Sequence, residues 1–320
     1  MQTEKTKGNL KSQYPIDAVI PWVDGNDKQH KSKMLPYLKD KSQILSEKFR
    51  TRFDHVNEIE YAVDSILKFA PYIRKIFLVT DNQTPDFLQT KDHNKNYSKI
   101  EIIDHTVIFA GYEKFLPTFN NRPIDTCLYR IPDLAEHFLY FNDDVFLIND
   151  TNPETFFKRG LPILRGVWSS FEEDKLFKKK KKGKAGNKLA QQKAARYLGF
   201  HKYFRFRHTP HPLRKSTFET SFKNNEDKFL ENIKYKFRST NQFTAQGLAN
   251  HVEIKNKTCY LEDNLRLLYF RSYKKPLFWY KYKLNIKYND QLFLGLQSLD
   301  RCPDKILKFL LNWLETKVKP

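Results

Sequence analysis

The stretch Phe138–Ile148, FLYFNDDVFLI, constrains this chain more than any other. Its apolar residues read as a strand buried on both faces, of the kind found in a parallel sheet covered by helices. Asn142, Asp143 and Asp144 interrupt it. Carboxylates are rarely buried unless paired or holding a cation. The two aspartates therefore either cap a turn or hold a hard divalent ion such as Mg2+, which takes oxygen ligands and bridges carboxylates to substrate phosphates.

Other segments agree with such a sheet. IDAVIPWVDGND (16–27) is a buried strand running into an Asp/Gly turn, and KIFLVTD (75–81) and KIEIIDH (99–105) are strands that each reach an aspartate. Between the first two, NEIEYAVDSILKFAP has the pattern of a helix. Asn57 is expected to cap it, Glu60 to complete a capping box, and Ile59, Val63, Ile66 and Ala70 to face inward, with Pro71 ending it. Strand, helix and strand in this order predict an α/β fold with a mostly parallel sheet flanked by helices. Open sheets of this type bind ligands at the carboxyl ends of their strands, where Asp24, Asp27, Asp81 and the Asn142–Asp144 group all fall.

At 320 residues the chain can bury a substantial core, in one domain or two. The division expected is an α/β half over 1–170, a basic lysine-rich insertion over 171–200 and a second half over 201–320 that completes the site and ends in an amphipathic helix. In that helix Ile306, Phe309, Leu310, Trp313 and Leu314 point inward. Cys127, Cys259 and Cys302 lie far apart without a CxxC pair, which argues for reduced thiols. A formal charge of +20 calls for an anionic partner. Apolar runs fall short of a membrane span and MQTEKTKGNL has no signal core. The expected location is the cytoplasm; Lys178–Lys182 reads first as a solvated loop and next as a contact with the anionic inner face of the membrane.

No Walker loop, GxGxxG after a strand, GxSxG or HExxH is present. A phosphate-bearing ligand would be met by metal and arginine instead. His208 and His211, flanking Thr209-Pro210, are candidate bases. Arg238 in KYKFRSTNQF has the fork that binds a phosphate at two oxygens. Spacing alone leaves both histidines, Arg238, and the pair Asn289-Asp290 open to structural roles as well.

Taken together, IDAVIPWVDGND, RFDHVNEIEYAVDSILKFAPYIRKIFLVTDNQTPDFL, LPTFNNRPIDTCLYRIPDLAEHFLYFNDDVFL, HTPHPLRK with KFRSTNQF, and NIKYNDQ resemble in order the four conserved regions of the Stealth family. That family includes bacterial capsular polysaccharide phosphotransferases. The resemblance implies a GT-A-like fold and transfer of a sugar 1-phosphate from a nucleotide sugar, commonly UDP-linked, to a polysaccharide hydroxyl with release of UMP. It implies donor binding by Asp24, Asn142, Arg238 and Asn289, and metal binding by Asp143, Asp144 and Asp290, with Mg2+ as the ion and Mn2+ as its substitute. It implies catalysis by Asp24, by Arg238, and by His208 or His211 as the base. In this chain Asp133 stands where the resembled pattern has glycine.

The rival enzyme reading is a metal-dependent GT-A glycosyltransferase, which would release UDP. A nucleic-acid-binding protein would account for the basic and aromatic stretches but leaves Asp24, Asp143 and Asp144 without a role. No nucleic acid is therefore expected as a partner.

Overall fold

A computed structural model describes residues 13–50, 53–54, 56–89, 97–173 and 185–319. Twelve strands are formed among them: β1 Ile16–Pro21, β2 Ile76–Thr80, β3 Ile100–Asp104, β4 His137–Tyr140, β5 Val145–Leu147, β6 Phe157–Lys158, β7 Leu161–Ser169, β8 Tyr203–Phe206, β9 His211–Arg214, β10 Tyr260–Glu262, β11 Leu267–Phe270 and β12 Phe293–Leu296. The central sheet has the order β3-β2-β1-β4-β9. Its first four strands are parallel, and β9 is antiparallel to β4. The expected mixed α/β fold with a mostly parallel sheet is what forms.

Alternate residues of the central strands bury on opposite faces. Ala18, Ile20, Ile76 and Leu78 join one core with helix Glu58–Phe69, whereas Val19, Phe77, Val79 and Phe138 join another. Burial on both faces explains why these strands read as continuous apolar runs. Within β1 the fully buried Asp17 is tied down by the Arg74 guanidinium at 2.9 and 2.6 Å and by the backbone N–H groups of Ala135 and Lys75 at 2.7 and 3.2 Å. It joins the entries of three strands.

The helix stripe is as expected, with Ile59, Val63, Ile66 and Ala70 buried. Its start is not. Asn57 is left-handed (φ 62°, ψ 27°) and makes no capping bond to the first turn. A capping side chain needs an extended backbone to reach over the N2 and N3 amides; instead Glu58 turns back and accepts from Val56 N at 2.5 Å. Asp133 also has positive φ, at 56°, the conformation glycine adopts most easily. At the C-terminus, helix Asp304–Val318 buries Ile306, Leu310, Leu314 and Val318, with Phe309 and Trp313 half-buried against the same core.

One expectation changes. Residues 138–148 are not one strand: β4 belongs to the central sheet and β5 to a second sheet of order β11-β12-β5. Strands before residue 170 and after residue 200 share sheets, since β9 pairs with β4 and β12 with β5. Lys178–Lys182 lies outside the described residues.

Candidate active site

The chain leaves the central sheet at Phe141, whose N–H still bonds Val19 O at 2.9 Å. A turn over Asn142–Asp144 follows, closed by Val145 N to Asn142 O at 3.2 Å, and by Asp144 its own carbonyl already accepts from Leu296 N at 3.0 Å. The two carboxylates thus stand at the joint between two sheets, on the carboxyl edge of the central one.

His208, in the connection between β8 and β9, reaches this turn. Its Nε2 lies 2.6 Å from Asp144 Oδ1, and its Nδ1 lies 3.4 Å from Asn142 Nδ2. The Tyr140 hydroxyl donates to Asn142 Oδ1 at 3.1 Å, which turns the amide nitrogen toward the imidazole. Nδ1 then accepts, and Nε2 carries the proton shared with Asp144. The Tyr269 ring lies over His208 at 5.1 Å between centroids. Gly295 makes room for this pair, because a Cβ there would sit 2.8 Å from Tyr269 Cδ2 and 3.2 Å from His208 Cδ2.

Asp143 is half-buried, and loss of solvent first, then the charges of Asp144 and Glu58, push its carboxyl well above the usual range. Behind Tyr140, the buried Asp125 is pushed up to about 7 by burial, partly opposed by Gln246, Tyr140, Arg238 and Arg122. Asn121 Nδ2 donates to Asp125 Oδ2 at 3.3 Å. Arg238 is exposed, bonds Asn121 Oδ1 through Nε at 3.1 Å, and acts electrostatically on Asp125 and Tyr140, so it faces the same edge. His211 opposes Tyr140 in the β4–β9 register. Burial, and then the charge of His208, press His211 down to about 4. It is therefore neutral at pH 7 and a weak base.

Asp24 occupies the loop after β1 on this edge. Its backbone N–H and C=O exchange bonds with the Gln83 amide at 2.9 and 3.0 Å, and its carboxylate accepts from Asn26 N at 2.7 Å. Gly25 follows because a Cβ would lie 2.4 Å from Phe53 O. Asp81 is taken up by His30 and Lys33, which hold it down at about 2.

Asn289 and Asp290 do not join the others. Because β12 runs antiparallel to β5, Gly295 lies beside Val145, whereas the loop before β12 is held by Asn149 Nδ2 through the carbonyls of Tyr288 and Gln291 at 3.1 and 2.7 Å. Asp290 is exposed at that far end. At about 3.3 Å per strand residue, the pair is roughly 15–20 Å along the strand from Asp144.

Glu58, Asp125, Tyr140, Tyr269 and Gly295 were not read from the sequence. Tyr140 had a signal, since it lies two residues before Asn142 on a strand and shares its face. Tyr269 and Gly295 had none, since Gly295 is brought in by the distant pairing of β12 with β5 and Tyr269 follows through β11 beside β12.

Among the described residues no three His, Cys, Asp or Glu side chains form a ready-made metal cage. The donor set still suits a hard cation in an open site. Asp143 and Asp144 are adjacent carboxylates with Glu58 within electrostatic reach, and Mg2+ binds through one or two carboxylates while substrate phosphates and water fill the remainder.

A carboxylate–histidine pair at the carboxyl edge of a mostly parallel sheet is the layout of an α/β enzyme. Sequence comparisons give the family. Stealth conserved region 1 matches residues 14–42 and Stealth conserved region 2 matches residues 52–162. A capsular polysaccharide phosphotransferase of Neisseria meningitidis serogroup B is 33% identical over 289 residues, covering 84% of this chain and 74% of that protein. One from Actinobacillus pleuropneumoniae is 35% identical over 244 residues, covering 73% of this chain and 63% of that protein. The chain therefore spans under two thirds of the latter. The galactosyltransferase LgtC, solved with donor and acceptor sugar analogs, aligns over 95% of this chain and 97% of its own at 11% identity and a TM-score of 0.47, too low a likeness to fix fold family or chemistry. This protein belongs to the Stealth family of transferases.

Proposed function

We propose that the protein transfers a hexose or N-acetylhexosamine 1-phosphate from a UDP-sugar to a hydroxyl of a capsular or other surface polysaccharide, releasing UMP. The observation that supports this reading best is the 2.6 Å contact of His208 with Asp144 beside a second carboxylate, in a chain of this family.

The acceptor oxygen attacks the β-phosphorus, and the phosphorus–oxygen bond to UMP breaks. The lone pair of His208 Nδ1, held only by the long 3.4 Å contact with Asn142, receives the hydroxyl proton. Asp144 orients the ring and stabilises the imidazolium, and Tyr140 fixes the Asn142 amide. Arg238 meets the transferred phosphoryl oxygens, and Asp24 braces the donor loop. Asp143 and Asp144 would hold Mg2+ or Mn2+, which when bound neutralises diphosphate charge. Asn289 and Asp290 take no part at this centre.

The nucleotide donor and polysaccharide acceptor belong to this reading. So does peripheral contact with an anionic membrane face, supported by the charge of +20; among the described residues no helix is long and apolar enough to cross a membrane. The test is to identify the nucleotide released when purified protein is offered UDP-sugars with Mg2+ and short acceptors. UMP is expected; UDP would mean glycosyl transfer and overturn the reading.

A further inference from the structure

Guanidinium groups in this protein are mostly paired: Arg74 with Asp17, Arg165 with Glu262, Arg196 with Glu173 and Arg214 with Glu253. Three near His208 are not. Arg205 lies on β8, Arg207 immediately after it, and Arg271 immediately after β11. Among the described residues none of the three side chains has an ion-pair or hydrogen-bond partner, and Arg207 Nε is buried without an acceptor. They lie within electrostatic reach of one another: burial first, then Arg205 and Arg271, lowers the Arg207 pKa from its ordinary value.

Tyr269 connects this cluster to the site. Its ring lies against His208 at 5.1 Å between centroids, tilted by 35°, its hydroxyl donates to Gln297 Oε1 at 2.7 Å, and it feels the charges of Asp144, Arg271 and Arg207 together. Grouped cations repel, and a buried N–H without an acceptor is costly. An anion with several oxygens relieves both, and a phosphate-type group matches the guanidinium fork.

We propose that Arg207 and Arg271, with Arg205 at the rim, form an acceptor subsite for a phosphodiester, separated from His208 by the ring of Tyr269. The proposal rests on the reading above. Sugar 1-phosphate transfer creates a phosphodiester, so an acceptor that has already been extended carries this group next to its reactive end. The donor diphosphate shares the chemistry, and the experiment separates the two sources.

Binding of oligomeric poly(glycerol phosphate), of neutral dextran oligomers and of UMP is measured by calorimetry on the whole chain and on Arg271→Gln and Arg207→Gln/Arg271→Gln variants. Poly(glycerol phosphate) should bind the wild type in a salt-dependent way and bind the double variant about tenfold or more weakly, with a shallower salt slope. UMP affinity should not change. Arg271 is exposed, so the single variant keeps the test valid if the double variant misfolds, and it should lose severalfold affinity. Equal polymer affinity in wild type and folded variants, or no polymer binding by wild type, would overturn the subsite. A parallel loss of UMP affinity would also overturn it, by assigning the arginines to the donor. Binding is read without turnover, so a failed nucleotide-release assay leaves this result independent.

Discussion

His208 Nε2 and Asp144 Oδ1 stand 2.6 Å apart, although 64 residues separate them in the chain. The contact leaves the lone pair on Nδ1, so the two residues act as a unit in which Asp144 sets the tautomer.

Replacing His208 by Gln should therefore lower turnover by roughly 10² to 10⁴ with little change in donor affinity. His211→Gln should cost far less. Initial rates of nucleotide release against donor concentration decide this, and near-normal turnover of the His208 variant would remove it from the chemistry.

Activity should be abolished by EDTA and restored by Mg2+ or Mn2+, with Asp143→Asn needing more added metal than wild type. The motive is that Asp143 feels the like charges of Asp144 and Glu58, which raises the cost of its own charge unless a cation compensates. Full activity in excess chelator would exclude the ion.

Gly295→Ala should keep the fold yet reduce turnover on the order of 10- to 100-fold, because the new methyl group displaces Tyr269 or His208 from their present positions. Unchanged kinetics would mean the rings shift without consequence.

Asp125 offers a test by pH. Its folded pKa of about 7 lies above the ordinary 3.8, so the folded state binds the extra proton. The stability this gives is complete below about pH 4 and lost as pH rises through about 7. Asp125→Asn imitates the protonated form. Its stability relative to wild type should rise across that window, by on the order of 2–4 kcal/mol. Denaturant midpoints measured from pH 4 to pH 8 check this, and parallel curves would refute it.

Asp17→Asn should destabilise by about 1–3 kcal/mol, a value reduced because the Arg74 partner remains 40% exposed. Urea unfolding measures the loss. A stability equal to wild type would show that the buried bonds of Asp17 contribute nothing net.

The central sheet was legible because β1 and β2 are buried on both faces, and because they and the edge strand β3 each lead to a polar turn. The carboxylate turn was legible for the same reason, as polarity interrupting an apolar run. What escaped was non-local. Nothing between Phe138 and Ile148 reveals that the chain changes sheets at Asp143, since either arrangement buries the same side chains. Asn289-Asp290 entered as a site only through the resemblance, and the antiparallel sense of β12, which residue type does not reveal, places it at the far end of that strand from Asp144. The Asn57 cap failed on backbone conformation, which residue type alone does not set.

The turn at Asn142–Asp144 has a bearing on how this protein can be divided. Within four residues the chain stops bonding β1 through Phe141 and begins bonding β12 through Asp144. A fragment ending near residue 170 would retain Asp143 and Asp144 but lose His208, Tyr269 and the β12 strand that aims them. Neither piece alone is a minimal enzyme. Complementation by two separately expressed halves would have to rebuild β4–β9 and β5–β12 together before the carboxylates regained their partners.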